Sequence, residues 1–153
     1  ILGPQEHASS ANRLEGYRRA LAQAKIKFDA SLVAQGNGRA EGGAQVSELI
    51  AHSPRPTAIF CYNDMTAIGA LSILKQRGIR VPDEISIVGF DDIPFAAYVD
   101  PPLTTIHQPK DEMGRTAMTM LLDLIGKNKV ENVVIKGELI IRESSAMSAI
   151  IEK

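Results

Sequence analysis

Two short apolar runs, residues 57–62 and 85–90, each break off into paired polar residues, Asn63-Asp64 and Asp91-Asp92. Between them Ile68, Leu71 and Leu74 recur at helical spacing, from about residue 64 to 77, and Gly78 ends the pattern. Strand, helix, strand in this order predicts neighbouring strands of a parallel sheet. The polar strand ends then share one edge, where open α/β folds bind small molecules. Ala58-Ile59-Phe60-Cys61-Tyr62 is apolar on both faces, which predicts a central strand covered by helices on each side. Asp64 stands where it can cap the next helix.

The rest of the chain extends this α/β rhythm into a doubly wound parallel sheet. Ile1-Leu2 reads as a strand end broken by Gly3-Pro4. A helix over about 10–24 carries the stripe Leu14, Tyr17, Leu21 and Ala24, and residues 30–35 read as a short strand before the turn Gly36-Asn37-Gly38. A helix over about 39–52 turns Gly43, Val46, Leu49 and Ile50 inward until Ser53-Pro54-Arg55-Pro56 stops it. After Asp92 comes a loop, 93–102, with three prolines and the apolar residues Ile93, Phe95, Tyr98 and Val99. A strand is expected over 103–106 and a helix over 110–125. That helix is apolar over a wider arc than a one-sided surface helix needs. Short strands are expected over 133–135 and 139–141.

At 153 residues, with 44% hydrophobic and 23% charged residues, the chain is of ordinary globular composition and long enough for one core. A net charge of −1 gives no electrostatic reason for these residues to bind nucleic acid or an acidic membrane directly. The one cysteine, Cys61, excludes an internal disulfide, and its apolar neighbours predict a core position. No apolar run approaches the roughly 18 residues of a membrane span. The chain opens on Ile1 without an initiator Met, and we read it as a fragment whose start lies upstream.

Asp91-Asp92 leads the chemical candidates. A carboxylate at the end of a parallel strand accepts hydrogen bonds from vicinal hydroxyls, although a solvated turn or a local backbone cap explains the pair equally well. Asn63 offers both donor and acceptor. Arg13, in the first turn of its helix, has a planar fork suited to carboxylates or paired hydroxyls, but also suits a plain surface charge. Gly36-Asn37-Gly38 fails as a phosphate loop, since position 41 is Glu41 and no Lys-Ser or Lys-Thr pair follows. His7, His52 and His107 lack metal-ligand spacing, and no Gly-x-Ser-x-Gly elbow exists. We expect no enzyme, no catalytic residue, no metal and no cofactor.

Taken together and in order, several segments resemble the lac repressor/galactose repressor family of bacterial transcription regulators. They are Gly3-Pro4, Arg13-Leu14-Glu15-Gly16-Tyr17, Arg55-Pro56-Thr57-Ala58-Ile59-Phe60, Asn63-Asp64, Val81-Pro82-Asp83, Gly89-Phe90-Asp91-Asp92, Pro102-Leu103-Thr104-Thr105-Ile106 and Arg142-Glu143-Ser144-Ser145. The resemblance implies a periplasmic-binding-protein-like fold of two lobes with effector, a sugar or related polyol, in the cleft. Residues 1–109 would be the C-terminal lobe with a hinge crossing. Residues 110–135 would be a returned piece of the N-terminal lobe, which explains the wide apolar arc, and 136–153 a return strand and tail. The DNA-binding headpiece would lie upstream.

The same resemblance implies ligand contacts at Arg13, Asp91, Asn63, Gln108, Ser9 and His7. It also implies a cytoplasmic homodimer, with contacts at Phe95, Tyr98, Val99 and Ile68. Family members often carry a stacking aromatic after the strand read at 30–35, where this chain has Asn37-Gly38. The rival reading is the receptor of a sugar uptake system, which shares the fold without DNA binding. A dinucleotide-binding enzyme is more distant, since its glycine spacing fails.

Overall fold

In chain order the elements are α1 (Ala8–Gln23), 3-10 segments Ala30–Leu32 and Ala40–Gln45, α2 (Val46–Leu49), β1 (Ala58–Phe60) and α3 (Asp64–Gln76). They continue with β2 (Ser86–Val88), a 3-10 turn Pro94–Ala97, β3 (Thr105–His107), α4 (Lys110–Ile125) and β4 (Glu138–Ile140). This computed structural model describes residues 1–147; the last residues of the expected tail, 148–153, lie outside the described part.

β1 and β2 pair in parallel, with Ile59 opposite Ile87. Backbone bonds widen the ladder on both sides. Tyr62 N donates to Ile1 O at 2.8 Å, and Leu2 N to Ala34 O at 2.8 Å. Gly89 N donates to Thr104 O and Asp91 N to Ile106 O, each at 2.9 Å. The polar ends of β1 and β2 therefore do share one edge. β3 then turns away to pair antiparallel with β4.

The core lies on one face of this sheet. Ile59, Ile87, Leu71, Leu74, Val46, Leu49, Ile85 and Leu103 are buried there, and Cys61 is fully buried among them, its thiol pushed up to about 11 by burial. α3 packs so closely on the 40–45 segment that a Cβ at Gly43 would collide with Ala70 N and Thr66 O. The other face of β1 is less covered than predicted. Ala58 and Phe60 are exposed, because α1 leaves a cavity of about 90 Å³ beneath Leu14 and Tyr17 instead of packing flat.

Three element predictions are corrected. Of the strand expected over 30–35, residues 30–32 wind a 3-10 turn, because Asp29 accepts from Ser31 N at 2.9 Å and Ser31 Oγ at 2.7 Å, and only its end pairs, as a parallel bridge of Gln35 with Leu2. The helix expected over 39–52 splits, because Gly42-Gly43 favours no helix, and Gly43 is held by its close approach to α3 and Gly42 by Asn37. Residues 133–135 form no strand, and Val133 and Val134 are exposed. α4 matches its predicted span and has no buried residue; Met118, Leu121, Leu122, Leu124 and Ile125 all stand in solvent. No helix among the described residues is long and apolar enough to cross a membrane.

Candidate effector site

Asp91 and Asp92 leave the edge of the sheet with φ of 118° and 49°. Such conformations cost non-glycine residues about 1–3 kcal/mol and cluster at functional sites. The two neighbouring carboxylates take different partners. Asp91 accepts from Gln108 Nε2 at 2.5 Å, while Lys110 Nζ donates to its backbone carbonyl. Asp92 accepts from Arg142 Nη2 at 2.8 Å and from His107 Nδ1, 2.9 Å away, in the tautomer that carries the proton there.

Their protonation diverges accordingly. Burial pushes the Asp91 carboxyl above the ordinary carboxylate range, against the Gln108 hydrogen bond and the nearby Arg13 charge. Burial acts the same way on Asp92, but Arg142 and His107 outweigh it and hold that carboxyl below the usual range. Arg142 also donates to Leu103 O at 2.8 Å, so Arg142 joins Asp92 to the segment that leads into β3. Of the leading pair, Asp91 is the under-solvated acceptor and Asp92 a fastening.

Arg13 of α1 lies over two aromatic rings. Its guanidinium carbon lies 4.0 Å from the Phe90 ring centroid and 4.5 Å from that of Tyr62. Its Nε is buried without a hydrogen-bond partner, and Nη1 reaches only Ser9 O at 3.4 Å. Ser9 Oγ lies 2.8 Å from Tyr62 Oη, and His7 Nδ1 lies 3.4 Å from the same hydroxyl. An open groove of about 610 Å³ is lined by Ser9, Asn12, Arg13, Tyr17, Phe90 and Gln108. A second, of about 520 Å³, runs past Phe90 and Gln108 to Met113 and Met120 of α4.

Arg13, Asp91, Gln108 and Ser9 are thus brought together, with His7 at the rim. Asn63 stands apart, as the cap of α3. Its Oδ1 accepts from Thr66 N at 2.9 Å and Thr66 Oγ1 at 2.8 Å, and its Nδ2 donates to Gly38 O at 2.8 Å. The cap expected of Asp64 is therefore supplied by Asn63, and Asp64 is the first helical residue, fully buried. Sequence reasoning missed Phe90 and Tyr62 as the rings that lie over Arg13. Their signal was an aromatic placed just before each polar strand end, masked by the apolar runs that contain them. Among the described residues no three His, Cys, Asp or Glu side chains gather to hold a metal ion.

Residues 1–145 match the family described as periplasmic binding protein-like domain. The chain is 41% identical over 147 residues to the HTH-type transcriptional repressor PurR of Vibrio parahaemolyticus serotype O3:K6, covering 94% of this chain and 44% of that protein. It spans under half the length of such curated relatives. Among solved structures, a transcriptional regulator CelR-cellobiose complex superposes with a TM-score of 0.88 at 36% identity, covering 95% of this chain and 45% of that one. The Escherichia coli transcriptional repressor ascG gives 0.84 at 34% identity, covering 97% and 54%. The chain belongs to the periplasmic binding protein-like domain family, and it matches the C-terminal part of the effector-binding core of LacI-family transcriptional regulators.

Proposed function

We propose that this chain is the effector-binding and dimerisation portion of a cytoplasmic, DNA-binding transcriptional regulator, and that its effector is a sugar or related polyol. The observation that carries this is the donor edge of Arg13 standing near the carboxylate of Asp91, with Gln108 beside both. A neutral vicinal diol satisfies both charges, because each hydroxyl accepts from the guanidinium and donates to the carboxylate. A bare anion meets repulsion from Asp91, and a bare cation meets it from Arg13. Ser9 in the groove and His7 at its rim can add neutral contacts. The solved relative in complex with cellobiose supports a polyol, and relatives named as repressors support a regulator over an uptake receptor.

Residues 110–135 then belong with a second lobe that would cover the apolar arc of α4, and DNA contact comes through a headpiece outside these residues. Effector shifts the balance between two lobe arrangements by binding one more tightly. Calorimetry of the intact protein against a polyol panel that includes cellobiose tests the reading: saturable binding at one site per chain is expected, and none across the panel would reject it.

Self-association is assigned to the face carrying Phe95 and Tyr98, which are 71% and 84% exposed, with Val99 and Ile68 half-buried beside them. Large apolar residues grouped this way mark a contact surface. Phe95→Glu is expected to shift the intact protein from dimer to monomer in sedimentation at micromolar concentration. An unchanged mass would place the contact elsewhere.

A further inference from the structure

Tyr62 sits in a slot made by two glycines. A Cβ on Gly3 would lie 2.5 Å from the Tyr62 ring, and one on Gly38, whose φ is +74°, would lie 3.2 Å from Tyr62 Cε1. The ring fills the space that a side chain at position 38 would need. Its hydroxyl is tied to Ser9 Oγ at 2.8 Å, and the Arg13 guanidinium carbon lies over its ring at 4.5 Å and over the Phe90 ring at 4.0 Å.

We infer that Tyr62 is a positioning residue that fixes Arg13 edge-on and thereby sets the ligand class of the effector site; this rests on the polyol reading above. With two rings already over the guanidinium, less of it is open to a flat ligand ring. Its N–H groups suit oxygen acceptors arranged around a puckered polyol. Gly38 adds no stacking surface of its own, and its positive φ together with the close Tyr62 and Pro4 atoms disfavours a side chain there. The slot, the clamp and the hydroxyl tie all hold one ring, and that ring lies behind Arg13, lining the inner cavity and not the open groove. Tyr62 therefore acts through Arg13 and not by touching the effector.

The test uses the intact protein with Tyr62→Phe, Tyr62→Ala and Arg13→Lys, titrated with cellobiose and D-glucose as polyols and adenine as a flat base. Tyr62→Phe keeps the clamp and is expected to hold polyol affinity within about threefold. Tyr62→Ala is expected to lose roughly tenfold, the size of a partly desolvated cation–π contact, and to gain measurable adenine binding on the uncovered guanidinium face. In an Arg13→Lys background the same Tyr62→Ala change should cost under about twofold, since contacting residues are non-additive. Equal losses in both backgrounds would mean that Tyr62 is merely structural and would overturn the inference.

A ligand-free readout separates this from the polyol reading. The buried Arg13 Nε–H should exchange slowly with solvent in NMR spectra of wild type and Tyr62→Phe, and quickly in Tyr62→Ala. Protection that survives in Tyr62→Ala would overturn the positioning role. If the wild-type protein binds neither polyol, the polyol reading is what fails, and the Nε–H signal still decides whether Tyr62 holds Arg13.

Discussion

Asp91→Asn is expected to weaken polyol binding on the order of 100-fold or more while leaving the protein folded. Two hydrogen bonds to an ionised carboxylate contribute about 1.5–3 kcal/mol each, and Asn keeps the shape while losing the charge and one acceptor. Asn also tolerates positive φ, here 118°, better than most neutral residues that carry a side chain, which limits added backbone strain. Burial raises the Asp91 pKa, and the sign for stability follows. A carboxyl whose folded pKa lies above its unfolded value contributes stability that is present below the unfolded pKa and lost as pH rises through the folded one.

At neutral pH the ionised Asp91 therefore costs the ligand-free protein stability. Asp91→Asn should match or slightly raise the melting temperature while binding disappears, a trade expected of a functional group. Wild-type binding should fall in the same way as pH drops through the raised carboxyl pKa. Calorimetry and thermal melts on the same samples check both halves. Retained affinity, or a large drop in Tm, would remove Asp91 from the effector site and make it a structural residue.

Asp64→Ala is expected to be the most damaging single change to the fold described here, at about 2–5 kcal/mol. Asp64 is fully buried, and its carboxylate accepts from Ile93 N at 2.8 Å and from Thr105 Oγ1 at 2.5 Å. It sits at the N-terminus of α3, where a negative charge is favoured by the helix dipole. Alanine would leave two buried donors unpaired, each costing about 1–3 kcal/mol. The residue ties three pieces together: α3, the loop that enters the exposed Phe95–Tyr98 face, and the strand that leads to the crossing. Chemical denaturation should show a lower midpoint with an unchanged slope, and hydrogen exchange should speed first at Ile93. A change below about 0.5 kcal/mol, the scale of an ordinary surface substitution, would show that other groups hold these pieces.

Much of the fold was legible locally. The alternation of apolar runs and helical stripes predicted β1, α3, β2 and α4, because each pattern is written within a dozen neighbouring residues. The errors fell where a nearby competing interaction overrode periodicity. Asp29 and Ser31 wound the first half of the expected strand into a turn, and Gly43 was shaped by α3 instead of by its own sequence. β1 was read as covered on both faces, yet apolar residues alone do not reveal how far α1 stands off the sheet.

The site divides along the same line. The order of strand, helix and strand by itself placed Asn63, Asp64, Asp91 and Asp92 at one edge of a parallel sheet, and the motif set carried Arg13 and Gln108 to that edge. Which carboxylate is left under-solvated and which is fastened by Arg142 was not written there. Asp92 owes its role to Arg142, 50 residues away, and Asp64 owes its own to Ile93 and Thr105, 29 and 41 away. Tyr62 owes its role to Ser9, 53 away, and to two distant glycines. Periodicity reports only on neighbours along the chain, whereas charge, burial and hydrogen bonding depend on neighbours in space, and the tertiary structure alone chose those.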